Sequence, residues 1–273
     1  MPVLNTDAPE VLKLEGLHLY HANLSNCSMR VRMLLDEKGL EWTSHLVDLG
    51  RQENLEDWYF RINPKGLVPA LVDNGIPVTE SSDILFYLER RFPQPSFTPV
   101  NSDECESMHE WVDLASRIHV KAIKTYVYGS IGGATKRRSD MARYAEIEPD
   151  KELVAFHQKT LDGIPKEEVA AAVALLKSVF ARMEARLSEH EYLAGERMSL
   201  ADIAWVPQHV LLSRIGFDFS PYPGIEAWVH RISKRSAFKT AITDRLNEIP
   251  MWLKSVTRGA SAKPPISADF SGE

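Results

Sequence analysis

The chain has 273 residues, enough for one large domain or two smaller ones with a full core. Its hydrophobic fraction of 44% and charged fraction of 26% are typical of soluble globular proteins, and its net charge of −6 argues against nucleic-acid binding. Two cysteines exclude a disulfide framework and favour a reducing, cytoplasmic location. No stretch has the pattern of a secretion signal or a membrane span, so no membrane association is expected.

The first part of the chain predicts a small α/β domain over residues 1–91, in which 1–16 form an irregular lead-in. Apolar spacing and turn residues then predict, in order, a strand at 17–20, a helix at 27–38, a strand at 41–49, a short helix at 55–62, two short strands and a helix ending near 91. The order is βαβαββα. Because a helix joins the first two strands, we expect them to be parallel.

The stretch 63–86 organises this domain. Asp73-Asn-Gly75 predicts the turn of a hairpin, since Asn-Gly accepts positive φ. Pro69 stands beside a strand although it has no N–H to pair, and a cis Val68-Pro69 bond would explain this by exposing the Val68 backbone. An ordinary turn with a trans proline is the structural alternative.

The helix that follows this hairpin predicts an anion site at its start. Glu80 and Ser81 lie where a helix N-terminus presents free N–H groups, which suit a carboxylate. A peptide ligand could therefore lie beside Val68 with its carboxylate on Ser81. The structural alternative is a serine that only caps the helix.

The second part of the chain predicts an all-helical domain. A proline-rich linker at 92–101 precedes a helical region at 102–255 and a loose tail at 256–273. Ser199 and Asp202 have the spacing of a capping box, with Asp in place of Glu. The predicted helices are 102–128, 166–189, 199–215, 221–233 and 237–247, with a loop or broken helix at 129–149.

The loop before the first long helix carries the candidate catalytic residues Ser25, Asn26, Cys27 and Ser28. Free amides at a helix N-terminus stabilise a thiolate, and a hydroxyl can donate a hydrogen bond to it. In the structural alternative, Ser25 or Asn26 caps the helix and Cys27 is a small packed residue. No Ser/His/Asp arrangement or metal-ligand spacing stands out.

These motifs together resemble the cytosolic glutathione transferase family. The resemblance covers about 17–245 and is carried by Ser25-Asn-Cys-Ser-Met-Arg-Val-Arg32, Asn63-Pro-Lys-Gly-Leu-Val-Pro-Ala-Leu71, Glu80-Ser-Ser-Asp-Ile-Leu-Phe-Tyr-Leu-Glu89 and Ser199-Leu-Ala-Asp-Ile203. It implies a thioredoxin-like first domain that binds glutathione as cosubstrate, a helical second domain that binds the electrophile, and a homodimer.

The resemblance also implies roles for the residues of the first domain. The proline matching Pro69 is cis, and the backbone of Val68 pairs with the cysteinyl part of glutathione. Glu80 and Ser81 hold the γ-glutamyl end, and Lys65 meets the glycine carboxylate. Leu67 departs from the polar residue often found at its position, which removes one glutathione contact.

Two subclasses fit the active-site loop. The loop is similar to the zeta-class sequence Ser-Ser-Cys-Ser-Trp-Arg-Val-Arg, in which Ser25 matches the donor to the thiolate. The extra length at 129–165, with Asn-Pro-Lys-Gly at 63–66 and Glu-Lys-Gly-Leu-Glu at 37–41, looks like the bacterial β-etherases that cleave lignin-derived aryl ethers. In that alignment Ser28 matches the proposed active serine.

The resemblance implies an enzyme that activates the glutathione thiolate for attack on an electrophilic, aromatic substrate, with β-aryl ether cleavage as one such reaction. A zeta-like cis–trans isomerase, a reductase acting through Cys27 and a non-catalytic binding protein stay open as alternatives. The run at 136–138 is interpreted as a solvated basic face. Large aromatic side chains mostly pack in cores, and with that alternative open the candidates for the substrate pocket are Trp111, His119, Tyr126 and Trp205.

Overall fold

The computed structural model describes residues 4, 6, 8–148 and 150–248. Within these, an α/β domain is followed by an all-helical domain, as the sequence predicts. The elements of the first domain are α1 (Pro9–Leu12), β1 (Leu17–His21), α2 (Asn26–Glu37), β2 (Thr43–Leu46), a 3₁₀ turn (Glu53–Leu55), α3 (Asp57–Phe60), β3 (Ala70–Asp73), β4 (Ile76–Thr79) and α4 (Ser81–Arg91). The lead-in is therefore not wholly irregular, because it contains α1.

The four strands form one sheet in the order β2-β1-β3-β4. Strand β1 is parallel to β2, as expected from the helix between them, and antiparallel to β3. Strands β3 and β4 form the predicted hairpin, whose turn residues Asn74 and Gly75 have φ values of 48° and 81°. Both values are positive, which is why Asn-Gly suits this turn.

Side chains alternate across this sheet as the twofold period of a strand requires. Leu19, Leu71 and Val78 pack in the main core with α2 and α4, and this core continues into the helical domain. Tyr20 and Val72 point to the opposite face, into a smaller core that includes side chains of α1 and α3.

The second domain has the elements α5 (Ser102–Arg117), a π-helical turn (His119–Lys124), α6 (Thr125–Ile131), a 3₁₀ turn (Arg138–Asp140), α7 (Met141–Ile147), α8 (Lys151–Asp162), α9 (Lys166–Leu187), α10 (Leu200–Ile215), α11 (Pro223–Ser233), α12 (Ser236–Phe238), a second π-helical turn (Lys239–Asp244) and α13 (Arg245–Asn247). The helix predicted over 102–128 is thus interrupted by π-helical geometry. The predicted loose tail lies outside the described residues.

The start of α10 confirms the predicted capping box. The Ser199 N–H donates to the Asp202 carboxylate at 2.8 Å, and the Ser199 hydroxyl accepts from the N–H of Ala201 at 3.3 Å. Asp202 is fully buried and also accepts from the indole of Trp228 at 2.8 Å. The box therefore joins α10 to α11.

Candidate functional site

The sheet brings three predicted segments to one end. Because β1 and β3 are antiparallel with Tyr20 opposite Ala70, the loop after β1 lies beside Val68, which precedes β3. Ala70 in turn pairs with Thr79, so the start of α4 at Glu80 reaches the same end. The π-helical turn (His119–Lys124) of the second domain faces them, since His119 contacts Cys27. We call the space between these segments the cleft.

The loop before α2 combines a cap with exposed donors. Ser25 is the N-cap, and its Oγ accepts from the N–H of Ser28 at 3.2 Å. This confirms the structural alternative, and it leaves the hydroxyl hydrogen of the partly exposed Ser25 available to a ligand. The backbone N–H groups of Asn26 and Cys27 have no acceptor among the described residues. The loop can therefore present three donors to an anion.

Asn26 and Cys27 have different surroundings. Asn26 is buried, and its Nδ2 donates to nothing in the described part of the chain. Cys27 is partly exposed, with Sγ 3.5 Å from Nε2 of His119. The Nδ1 atom of His119 is buried without a partner among the described residues. Burial, with the charges of Lys124 and Arg30, holds the pKa of His119 well below its usual value, so the imidazole is neutral.

The structure places Ser28 away from the cleft. Its side chain is fully buried, and its Oγ accepts from the N–H of Ala22 at 3.3 Å. A hydroxyl enclosed in the first domain cannot reach a ligand thiol without local rearrangement. This position corrects the expectation for Ser28 and favours Ser25 as the serine that faces the cleft.

The segment before β3 is held open by side chains that the sequence analysis did not single out. Val68-Pro69 is cis, as predicted, and the N–H and C=O of Val68 bond to no other described residue. The Tyr59 hydroxyl and the Asn63 amide both donate to the carbonyl of Leu67, at 2.6 and 2.7 Å. These bonds fix the chain so that the Val68 backbone remains available.

At the start of α4, Glu80 adopts a φ of 64°, which is uncommon outside glycine and is found preferentially at functional sites. Its carboxylate pairs with Lys65 at 2.7 Å, so Lys65 would have to share its ammonium to bind a second carboxylate. The pKa of Lys65 is raised, because the bond and charge of Glu80, with Glu148 and Asp150, outweigh the opposing effect of burial. Glu80 is the N-cap of α4, and its side chain accepts no capping hydrogen bond.

Beneath Ser81 lies a buried cation that the sequence analysis missed. Arg30 is 1% exposed and donates to the Ser81 hydroxyl at 3.2 Å and to the carbonyl of Ala115 at 3.4 Å. It forms no ion pair with an acid among the described residues, and burial lowers its pKa. Lys124 adds a second positive charge, which interacts with Cys27 and Glu80. The cleft is therefore positive where the free N–H groups of α2 and α4 point.

The predicted substrate wall is only partly found at the cleft. Trp111 and Trp205 are each 1% exposed and pack edge to face at 5.9 Å in the core, which corrects their assignment. Tyr126 packs edge to face on Phe217 of the helical domain at 5.5 Å and is partly exposed. Of the four candidates, His119 alone contacts a residue of the active-site loop.

Near the π-helical turn, Lys124 and Lys136 each lie over an aromatic ring of α7 or α8. Lys136 is 5% exposed, so it departs from the predicted solvated face of 136–138, whereas Arg137 and Arg138 are exposed as predicted. The Lys136 ammonium lies 4.6 Å from the centre of the Tyr144 ring. The Lys124 ammonium lies 6.0 Å from the centre of the Phe156 ring. The sequence could not predict the burial of Lys136, because a run of three basic residues is typical of a protein surface.

The described residues contain no helix long and apolar enough to cross a membrane. Comparison with known families gives two matches. The family described as "Glutathione S-transferase, N-terminal domain" matches residues 24–91, and "Glutathione S-transferase, C-terminal domain" matches residues 144–236. The matches contain the active-site loop, the Val68 segment, the start of α4 and the capping box.

Similar proteins support the same family. Protein LigF of Sphingobium sp. is 32% identical over 82% of this chain and 91% of its own length. The crystal structure of the beta-etherase LigF matches with a TM-score of 0.70 at 30% identity, covering 82% of this chain and 98% of that one.

Two further relatives are described by another activity or another class. The tetrachloro-p-hydroquinone reductive dehalogenase of Sphingobium chlorophenolicum is 30% identical over 82% of this chain and 94% of its own length. Glutathione S-transferase Z2 of Arabidopsis thaliana is 26% identical over 86% and 94%. Both domain families match this chain, in the order in which the two domains follow each other. The chain therefore belongs to the glutathione S-transferase family, whose cosubstrate is glutathione.

Proposed function

We propose that this chain is a glutathione transferase that cleaves a β-aryl ether. One observation supports it most: the free amides of Asn26 and Cys27 and the hydroxyl of Ser25 point into a positive cleft that suits a sulfur anion. The choice of an ether is supported by the likeness to LigF, whose structure is described as that of a beta-etherase.

The residues of the first domain fit the polar groups of glutathione. The free N–H groups at the start of α4, with the Ser81 hydroxyl, suit the γ-glutamyl carboxylate, and Glu80 suits the ammonium. The unpaired backbone of Val68 suits the cysteinyl peptide group. Because Lys65 is already paired with Glu80, we propose that Lys65 holds Glu80 in place and leaves the glycine carboxylate to another group.

Bound glutathione supplies a thiolate that attacks an electrophilic carbon. The protein's part is to stabilise negative charge before and during that attack: Ser25 donates its hydroxyl hydrogen, and the amides of Asn26 and Cys27 add two more donors. The charge of Lys124 acts in the same direction. Holding both reactants in the cleft supplies a further part of the rate.

An aromatic electrophile would bind beside the partly exposed Tyr128 of α6, which the rings of α7 and α8 support from behind. Tyr128 packs edge to face on Phe156 at 6.2 Å, and Tyr144 packs on His157 at 5.2 Å. Rings of this kind bind other rings edge to face or by offset stacking. A zeta-like isomerase is the second candidate, since the loop sequence resembles that class and Glutathione S-transferase Z2 is a relative.

The test compares three substrates: a β-aryl ether with a fluorescent phenol leaving group, a chlorinated aromatic and maleylacetone. We expect glutathione-dependent release of the phenol by the wild type. Ser25→Ala should lower kcat/KM roughly a hundredfold, the usual loss when one donor to a reacting anion is removed.

Ser28→Ala is the matched control for Ser25→Ala, because it removes a hydroxyl of the same loop that does not face the cleft. It should retain most of its activity once its folded fraction is verified. Turnover of maleylacetone without phenol release would reject the ether and support the isomerase. Glutathione binding without turnover of any substrate would support a non-catalytic binding protein.

We also propose that the chain forms a homodimer, as the family resemblance implies. The two free cysteines, Cys27 and Cys105, favour a reducing compartment, and we propose the cytoplasm. Size-exclusion chromatography with light scattering should give twice the mass of the 30.9 kDa chain. A single-chain mass at working concentration would contradict the dimer.

A further inference from the structure

Two lysines of the helical domain lie together on the wall of the cleft. The Lys124 ammonium is 6.0 Å from the centre of the Phe156 ring, and the Lys136 ammonium is 4.6 Å from the centre of the Tyr144 ring. His157 contacts both rings, at centroid distances of 5.5 and 5.2 Å. We call these five residues the cationic wall.

Neither lysine has an acidic partner in the described part of the chain. The acids whose charges interact with Lys136 are Asp140 and Glu148. Asp140 is paired with Arg137 at 2.7 Å, and the carboxylate of Glu148 accepts from the N–H of Asp150 at 2.9 Å and from the Tyr144 hydroxyl at 3.4 Å. Both acids are therefore engaged elsewhere.

Two ammonium groups that lie near each other repel, and Lys136 is only 5% exposed to water. Without a bound anion, this arrangement is unfavourable. Burial and the charge of Lys124 lower the pKa of Lys136 to about 8. Burial also lowers the pKa of Lys124, against the opposing charges of Cys27 and Glu80. Unpaired charge of one sign at such a place is typical of a ligand site.

The cationic wall is held rigidly and faces the cleft. The Thr135 hydroxyl bonds to Nδ1 of His157 at 2.6 Å, and the Thr135 N–H donates to Thr160 at 3.1 Å, which fixes the chain next to Lys136. The Gln52 amide of the first domain donates to the Thr135 carbonyl at 3.4 Å. Since Lys124 ends the π-helical turn whose His119 contacts Cys27, the wall adjoins the proposed glutathione site.

We propose that Lys124 and Lys136 bind a carboxylate of the reacting pair. This site rests on the proposed function, because it presupposes that glutathione occupies the cleft. The carboxylate has two sources. One is the glycine end of glutathione, for which Lys65 would have to share its ammonium with Glu80. The other is an acid group on the aromatic electrophile.

Equilibrium binding tests this proposal without turnover. Calorimetry compares three ligands: S-benzylglutathione, its glycyl ethyl ester, and S-(para-carboxybenzyl)glutathione. The variants are Lys124→Met and Lys136→Met, which keep side-chain length and remove charge. Lys121→Met, an exposed lysine of the same π-helical turn, is the matched control.

We expect each cleft variant to bind the preferred carboxylate ligand roughly tenfold to a hundredfold more weakly, with Lys121→Met unchanged. If the glycine end is the source, the wild type binds S-benzylglutathione more tightly than its ester, and the variants lose that preference. If the electrophile is the source, the wild type prefers the carboxybenzyl ligand, and the variants lose that preference instead.

The proposal is overturned if the wild type shows neither preference, or if both preferences survive in Lys124→Met and Lys136→Met. In either case tight binding of S-benzylglutathione would leave the proposed function in place. If the folded wild type binds none of the three ligands, the proposed function fails, and this site fails with it.

Discussion

Arg30 stands out among single residues because it is a buried guanidinium with no acidic partner among the described residues. Its bond to the Ser81 hydroxyl orients the group that we propose for the γ-glutamyl carboxylate. Arg30 would not touch glutathione itself, so it is a positioning residue. The Ser-x-Cys-Ser-x-Arg sequence contains it, but its side-chain direction requires the folded helix.

We predict that Arg30→Met raises the KM for glutathione roughly tenfold and changes kcat little, because Ser81 loses its orientation while the thiolate donors remain. Arg30→Lys should recover part of the affinity. Steady-state kinetics on folded protein give both values. A fall in kcat with an unchanged KM would contradict the positioning role.

Lys136 predicts a pH dependence of binding. Its pKa falls from 10.5 in the unfolded chain to about 8 in the folded protein. Burial and the positive charge of Lys124 lower this pKa, and the negative charges of Asp140 and Glu148 oppose them only in part. The unfolded state therefore holds the extra proton between these two values, so this group makes stability rise with pH there. The folded ammonium is lost as pH rises through about 8, so the affinity for a carboxylate should fall above it.

The measurement is the affinity of whichever carboxylate ligand Lys136→Met weakens, taken at about pH 7 and about pH 9. The wild type should lose affinity over this interval relative to Lys136→Met, in which the titrating group is absent. Equal losses in both proteins would show that Lys136 is not the group responsible.

At the scale of elements, the π-helical turn (His119–Lys124) explains a residue pair that the sequence pattern could not predict. In an α-helix, residues five apart point about 140° from each other. A π-helical turn closes after five residues and returns them to nearly the same face. His119 and Lys124 can therefore both face the active-site loop, and a search at helical spacing does not pair them.

The capping box of α10 is the element-scale feature that the sequence predicted best, because Ser199 and Asp202 lie within four residues of each other. We predict that Asp202→Ala lowers the free energy of unfolding by about 3 kcal/mol, since it leaves the buried donors of Leu193, Ser199 and Trp228 without an acceptor.

Urea denaturation measures the effect of Asp202→Ala. Asp202→Asn is its control, because the retained oxygen can still accept from Leu193 and Trp228, so the loss should be smaller. Equal losses for the two variants would show that the hydrogen bonds accepted by Asp202 are not the source of the stability.

For the whole molecule, Arg32 predicts that the two domains unfold together. It is fully buried and donates to the carbonyls of Ala22 and Asn23 in the first domain and of Ala241 in the second. Arg32→Met should cost about 2 to 3 kcal/mol, because the carbonyls of Asn23 and Ala241 lose this donor while that of Ala22 keeps the N–H of Ser25. Circular dichroism and tryptophan fluorescence should give coincident transitions in the wild type, and two separate transitions would contradict joint unfolding.

A feature could be predicted from the sequence where it depends on residues that are neighbours in the chain. The Asn74-Gly75 turn, the Val68-Pro69 segment and the capping box are local, so they were predicted with their geometry. The burial of Lys136, Trp111 and Trp205 depends on packing between segments far apart in the chain. Composition and helical period carry no information on such packing, which is why Trp111 and Trp205 were assigned to the substrate pocket incorrectly.

The central claim is that the cleft stabilises the glutathione thiolate. The direct test is a pH titration of thiolate absorbance in the bound complex, with S-methylglutathione as the reference that cancels Cys27. We predict that the bound thiol pKa lies at least about one unit below the free value of about 8.5 and rises again in Ser25→Ala. An unshifted thiol pKa in the wild-type complex would contradict the account.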